Sequence, residues 1–87
     1  MEHAILFADA MAADDDKEAF DKLIMTKDVY LALYPCAKVC SDLGAIFKRL
    51  GNLEYVCEEY EEAMNYYQQS AEYYERSELT READRWQ

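Results

Sequence analysis

Turn-forming residues and basic residues are both scarce in this chain of 87 residues. It has two glycines and one proline, which leaves little material for the many tight turns of an all-β fold. Nine Lys and Arg against 19 Asp and Glu give a net charge of −10, which disfavours binding to nucleic-acid phosphates or anionic lipid. We therefore expect an all-α protein that does not bind nucleic acid.

Long apolar runs and secretory features are lacking as well. No stretch approaches about 18 uninterrupted apolar residues, and the first residues lack the basic segment of a secretion signal. The three cysteines are an odd number, so reduced thiols are expected rather than a disulfide framework. A composition that is 52% hydrophobic is too apolar for a disordered acidic tail and predicts a packed core. We expect a cytoplasmic protein.

Side chains for catalysis or metal binding are few. The sequence has one histidine, His3, and no glycine-rich phosphate loop. Cys36 and Cys40 have the i, i+4 spacing of a metal-binding pair, but no second Cys or His pair completes four ligands. These two thiols are expected to be buried as small hydrophobic groups. We therefore expect no enzyme activity, no metal site and no cofactor.

Apolar residues recur at helical spacing along most of the chain. The pattern predicts helices near residues 3–12, 16–33, 35–50 and 58–77, and the start of a further helix at 79–87. Pro35 suits the first turn of the third helix, because an amide proton is not needed there. Gly51 and Asn52 are expected to end that helix, since glycine readily adopts the left-handed conformation of a helix C-terminus.

Two apolar stripes predict the buried faces of the third and fourth helices. Their members have offsets of 0, 3, 4, 7, 11 and 14 and are Cys36, Val39, Cys40, Leu43, Phe47 and Leu50 in one helix, and Tyr60, Ala63, Met64, Tyr67, Ala71 and Tyr74 in the other. Tyr66 and Tyr73 lie one residue off the second stripe. They are expected either to pack against a neighbouring repeat or to face a partner.

The chain repeats itself at a shift of 44 residues. Residues 17–30 align with residues 61–74, with a Glu, an Ala and the final Tyr identical. A period of roughly 40 residues is typical of stacked helix pairs, which bury their faces against neighbouring pairs. We expect a right-handed helical-hairpin solenoid of tetratricopeptide-like repeats, with about four helices plus terminal stubs. Residues 1–87 would form a single segment of a longer array, because two pairs have little core of their own.

The string YEEAMNYYQQSAEYY at residues 60–74, with the preceding CAKVC and AIF segments, resembles the soluble NSF attachment protein (SNAP) family, alpha-SNAP in particular. The likeness covers residues 4–86, is best in 58–74, and is weakest near residues 31–35, where the turn is shorter than in the family. An ordinary tetratricopeptide repeat fits less well, because its period is about 34 residues.

This resemblance implies a non-enzymatic adaptor in vesicle fusion and ER–Golgi protein transport. Family members bind the acidic SNARE four-helix bundle, which includes syntaxin-type helices, and link it to the NSF ATPase that disassembles it. They are cytoplasmic and peripheral to membranes. The family's membrane-contacting loop and NSF-contacting helices have no counterpart in this chain, so those contacts are expected only of a longer parent protein.

Family members hold the SNARE bundle with basic side chains on the concave face of the solenoid. Lys38 and Arg85 match such positions, so the resemblance implies that they face the bundle. Lys48 and Arg49 are weaker candidates, because helical spacing brings them to the side of Lys38, opposite the apolar stripe. The alternative is a generic tetratricopeptide-like scaffold that binds a peptide in an aromatic groove. Its affinity would hardly respond to salt, whereas that of a basic face would fall as ionic strength rises.

Overall fold

The computed structural model describes residues 2–33 and 35–85. Four helices make up most of this part: α1 (Glu2–Ala12), α2 (Asp16–Leu31), α3 (Ala37–Val56) and α4 (Tyr60–Arg85). The described residues contain no strand, which confirms the prediction of an all-α fold.

Each helix packs against the helix that follows it. α1 contacts α2, α2 contacts α3, and α3 contacts α4 more extensively than the other pairs. The molecule measures 44 × 29 × 18 Å, so it is a slab rather than a sphere. A row of sequentially packed helices is compatible with one slice of a helical-hairpin solenoid.

The start of α2 is fixed by local carboxylates. Asp15 has an extended backbone, and its carboxylate accepts a hydrogen bond from the amide of Glu18 at 3.0 Å. Asp16 and Glu18 in the first turn complement the positive end of the helix dipole. The helix ends at Leu31, two residues before the predicted end, and Pro35 follows in the connection.

α3 begins and ends later than the sequence predicted. Pro35 precedes the helix, and Cys36 is its N-cap residue with an extended backbone. Gly51 is a buried helical residue with no positive φ, and a Cβ built on it would lie 2.8 Å from the ring of Tyr67. Gly51 therefore makes room for a neighbouring ring and does not end the helix. The connection to α4 turns instead at Glu58, whose φ is 65°.

α4 continues where the sequence predicted a break. The prediction of a separate helix at 79–87 is wrong for the described residues, because α4 runs to Arg85 without interruption. Ser77 lies inside the helix, is 2% exposed, and donates its hydroxyl to the carbonyl of Ala37 at 3.0 Å. Residues 86 and 87 lie outside the described residues.

The core lies where α1, α2 and α3 meet, with two α4 side chains covering it. Its fully buried members include Ala10, Leu23, Tyr30, Ile46 and Leu50. The predicted stripe of α3 is buried from Val39 to Leu50. Cys36 is the exception and is exposed, because it precedes the first turn of the helix.

The predicted core face of α4 is largely wrong. Ala63 is buried, but the large side chains of the stripe are 36–71% exposed; they are Tyr60, Met64, Tyr67 and Tyr74. Tyr66 and Tyr73 pack against the core instead. Their rings stack on Phe47, with centroids 6.1 and 5.5 Å away.

Small residues explain why Tyr66 and Tyr73, and not the predicted stripe of α4, face the core. α3 offers Gly44 and Gly51, seven residues apart, and α4 offers small residues at the same interval: Ala63, Ser70 and Ser77. The two sets meet, and the hydroxyl of Ser70 donates to the carbonyl of Gly44 at 2.7 Å. The rings of Tyr67 and Tyr74 lie over the two glycines, where a Cβ would clash with them, while Tyr66 and Tyr73 pack against the core.

Candidate functional site

Lys38 is a mostly exposed side chain that belongs to a three-residue polar cluster. Its Nζ lies 3.2 Å from Oδ1 of Asp42, one turn further along α3. The other oxygen of Asp42 accepts a hydrogen bond from the hydroxyl of Tyr30 at 3.0 Å. Burial, together with this hydrogen bond and the negative charge of Asp42, raises the pKa of Tyr30 well above its usual range, so the hydroxyl stays a donor.

This cluster leaves Lys38 able to contact a partner. Its side chain is 81% exposed, and an ammonium group carries three donors, of which one suffices for Asp42. Because Asp42 is buried and retains one of these donors, a partner carboxylate would share the ammonium group rather than displace Asp42 from it. Lys38 therefore meets the steric requirement for the predicted partner contact.

Arg49 points into the protein. Its Nη2 donates to the carbonyl of Ala13 at 3.2 Å, across the connection between α1 and α2. Its Nε is buried and has no hydrogen-bond partner among the described residues. The guanidinium thus ties α3 to this connection, a structural role that helical spacing alone did not indicate.

The other two basic candidates, Arg85 and Lys48, lie far apart on the hairpin formed by α3 and α4. Arg85 is exposed in the last turn of α4, about 12 Å beyond Ser77, which sits beside Ala37 at the start of α3. Arg85 and Lys38 therefore lie toward the same end of the hairpin but are at least about 12 Å apart along it. Lys48 is exposed about 15 Å further along α3 from Lys38.

Arg76 lies at the same end as Lys38 and was not singled out from the sequence. Its guanidinium carbon lies 5.0 Å above the centroid of the Tyr73 ring. It borders a cavity of about 210 Å³ whose apolar lining includes Pro35, Val39 and Leu43. The signal available in the sequence was its spacing of three residues from Tyr73, which stacks an arginine over a ring on one helix face.

A second candidate surface is the tyrosine face, which we define as Tyr60, Met64, Tyr67 and Tyr74 on α4. The Tyr67 and Tyr74 rings lie over Gly51 and Gly44, and the Tyr67 hydroxyl donates to Oδ1 of Asn52. No other described helix covers the tyrosine face. A contiguous row of exposed Tyr and Met side chains is typical of protein-binding surfaces.

Carboxylates concentrate where α3 connects to α4. Five lie within residues 54–62, namely Glu54, Glu58, Glu59, Glu61 and Glu62, and no Lys or Arg occurs between Arg49 and Arg76. The pKa of Tyr66 is raised by its burial and by the charges of Glu54 and Glu62. This end of the hairpin is therefore acidic, while Lys38, Arg76 and Arg85 lie toward the other end.

The cysteines and acidic side chains of the described part form no group of three or more that could hold a metal ion. Cys40 is buried as expected, whereas Cys36 and Cys57 are exposed free thiols. None of the described helices is both long and apolar enough to cross a membrane.

Comparisons with known proteins found no protein-family model, no curated protein and no solved structure that matches this chain. The likeness to the SNAP family consequently rests on the sequence strings of residues 36–74 quoted above.

Proposed function

We propose that this chain is part of a helical-repeat adaptor whose partner is the SNARE four-helix bundle. In this proposal the helix pairs α1–α2 and α3–α4 are two units of a right-handed solenoid. The observation that carries it is that Lys38 and Arg85 are both exposed and lie toward the same end of the α3–α4 hairpin. The resemblance independently assigns these two residues to the bundle.

Charge separation along the hairpin supports binding to an acidic bundle. Lys38, Arg76 and Arg85 attract acidic side chains, and the carboxylates of residues 54–62 repel them. The bundle would thus approach the end that carries Lys38, Arg76 and Arg85. That end also holds Glu72, Glu75, Glu78 and Glu82, so it is less acidic than the α3–α4 connection rather than net basic. Such contacts increase the association rate and fix orientation more than they add affinity.

The remaining parts of the proposal concern the protein in the cell. The adaptor acts in the cytoplasm at membrane surfaces, during vesicle fusion and protein transport, and has no catalytic activity of its own. Contact with the NSF ATPase and with the membrane belongs to segments of a longer parent protein.

The test is equilibrium binding to a preassembled SNARE bundle at about 50 mM and about 500 mM NaCl. A Lys38→Glu/Arg85→Glu variant should bind about tenfold more weakly at low salt, because two attractive contacts become repulsive. The charge-matched control is Lys17→Glu/Lys27→Glu, which alters the same number of charges on α2 and should bind as the wild type. The single variant Arg85→Glu is measured as well, because it leaves the contact between Lys38 and Asp42 intact.

The alternative function is that of a scaffold that binds a peptide on the tyrosine face. The 36–71% exposure of its four side chains favours this candidate. Binding that is equal at both salt concentrations and unchanged in the Lys38→Glu/Arg85→Glu variant would support it and contradict a contact through Lys38 and Arg85. A Tyr74→Ser variant should then weaken binding.

A further inference from the structure

Apolar side chains are exposed next to the carboxylates at the α3–α4 connection. Tyr55, Tyr60 and Met64 are 58%, 53% and 71% exposed, and we name these three the corner patch. The rings of Tyr55 and Tyr60 pack edge to face, with centroids 5.3 Å apart. Met64 lies one turn after Tyr60 on the same side of α4. The patch is therefore a preformed apolar surface made by both helices of the hairpin.

The carboxylates of residues 54–62 dominate the electrostatics around the corner patch. None of the five forms an ion pair within the described part of the chain, whose pairs involve other carboxylates. The N-terminus of α4 offsets only about half a charge of the five. Lys17 lines the same cavity as Glu54 and offsets one further charge, so the local potential remains negative.

We propose that the corner patch binds a basic amphipathic helix of another protein. Apolar side chains of that helix, one turn apart, would cover Tyr60 and Met64, while its Lys and Arg side chains would face the surrounding carboxylates. The tyrosine rings favour the same occupant, since their faces attract Lys and Arg cations. Met64 has a flexible thioether that adapts to apolar side chains of different shape.

Charge selects this occupant over the others that an apolar surface could take. A second copy would bring its own five carboxylates against the first set, and an anionic lipid surface would be repelled in the same way. The corner patch lies at the opposite end of the hairpin from Lys38. Its partner is basic, whereas the proposed SNARE bundle is acidic. It is therefore independent of the proposed SNARE contact.

The experiment measures binding of two labelled peptides of about 16 residues to the full chain. Both have Leu at positions i, i+3, i+4 and i+7; one carries Lys at the polar positions and the other carries Glu. We expect the Lys peptide to bind at about 50 mM NaCl and to weaken at least tenfold at about 500 mM. The Glu peptide should not bind.

Variants of exposed residues separate the apolar from the electrostatic contribution. Tyr60→Ser/Met64→Ser should weaken binding of the Lys peptide about tenfold, since central Tyr side chains are among those that dominate interface energetics and Met is enriched at interfaces. Glu58→Gln/Glu61→Gln should weaken it about threefold and reduce the salt dependence. The matched control is Leu79→Ser, which removes a side chain of 59% exposure from the same helix, and it should leave binding unchanged.

Several results would overturn the proposal. They are equal binding of the Glu peptide, wild-type affinity of the Tyr60→Ser/Met64→Ser variant, or the same loss in Leu79→Ser. Because Lys38→Glu/Arg85→Glu leaves the corner patch intact, it should bind the Lys peptide at least as well as the wild type. Failure of the SNARE contact and failure of the corner patch are thus observed in different variants.

Discussion

The Asp42 carboxylate links α3 to α2 through the hydroxyl of Tyr30. It is buried, accepts the Tyr30 hydroxyl with one oxygen and lies 3.2 Å from the Lys38 ammonium with the other. A buried carboxylate is stable only when such partners compensate for its lost hydration. The same residue that a partner would contact, Lys38, therefore also contributes to the fold.

A Tyr30→Phe variant should lower the free energy of unfolding by about 1–2 kcal/mol near neutral pH, because it removes a donor from a buried charged acceptor. The effect should depend on pH. The raised pKa of Tyr30 in the folded state means that its hydroxyl stabilises the fold fully below pH of about 10, and that this contribution is lost as the pH rises further.

The measurement is urea unfolding of both proteins at pH of about 8 and about 11. The difference between wild type and Tyr30→Phe should shrink at the higher pH. Both proteins should also lose some stability between the two pH values because of Tyr66, whose pKa in the folded state is raised as well. A difference that stays constant between the two pH values would show that the Tyr30 hydroxyl does not titrate as its surroundings indicate.

The closest packing between elements is that of α3 and α4. Gly44 and Gly51 are needed for their size, since a Cβ at either would lie within 3.0 Å of a tyrosine ring. Glycine weakens a helix by roughly 0.5–1 kcal/mol relative to alanine. The close packing of the two helices must therefore compensate for this loss of stability at both glycines.

Gly44→Val should reduce the free energy of unfolding by about 2 kcal/mol or more, because two additional methyl groups would push the Tyr74 ring and α4 away from α3. Gly44→Ala should have a smaller effect, as the higher helix propensity of alanine opposes the strain. Ala45→Val, one residue further along the same helix, is the control and should change stability by less than about 1 kcal/mol. Equal effects of valine at positions 44 and 45 would contradict the packing role of Gly44.

The sequence predicted the elements better than it predicted which faces they bury. The stripe of α3 was identified because its apolar residues are surrounded by polar ones. On α4, the stripe through Tyr60 and Tyr67 and the stripe through Tyr66 and Tyr73 have the same helical period, so periodicity could not choose between them. The choice was made by the glycines of α3, which meet Ser70 and the rings of Tyr67 and Tyr74 only after the two helices have packed together.

The end of α3 and the direction of Arg49 were missed for related reasons. Glycine is typical of a helix terminator, so the sequence predicted an end at Gly51. In the structure α3 continues past Gly51, which instead accommodates the ring of Tyr67. Arg49 has the helical position of an exposed cation. Its long side chain nevertheless reaches the Ala13 carbonyl, a contact between residues 36 positions apart in sequence.

At the scale of the whole molecule, the net charge of −10 and the uncovered tyrosine face act against each other. The apolar face favours association with a second copy, and the charge opposes it. Screening by salt reduces the repulsion between exposed charges but leaves apolar contact nearly unchanged. The balance between the two is therefore set by ionic strength.

Sedimentation equilibrium should detect this balance. We expect the chain to be mainly monomeric at about 50 mM NaCl and to self-associate at about 500 mM. Tyr74→Asp should keep it monomeric at both, because it places a charge in the tyrosine face. Leu79→Asp, which adds the same charge elsewhere on α4, should associate as the wild type does. A chain that is monomeric and melts cooperatively at every salt concentration would contradict an uncovered apolar face.

The row of helices in which each contacts the next has a kinetic consequence. Nearly all of the chain's contacts join segments that are neighbours in sequence, and the α3–α4 hairpin contains the largest share of them. Chains with such low contact order close only short loops on the way to the native state, so they fold within microseconds to milliseconds. The α3–α4 hairpin would form first and give α2, and then α1, a surface on which to assemble.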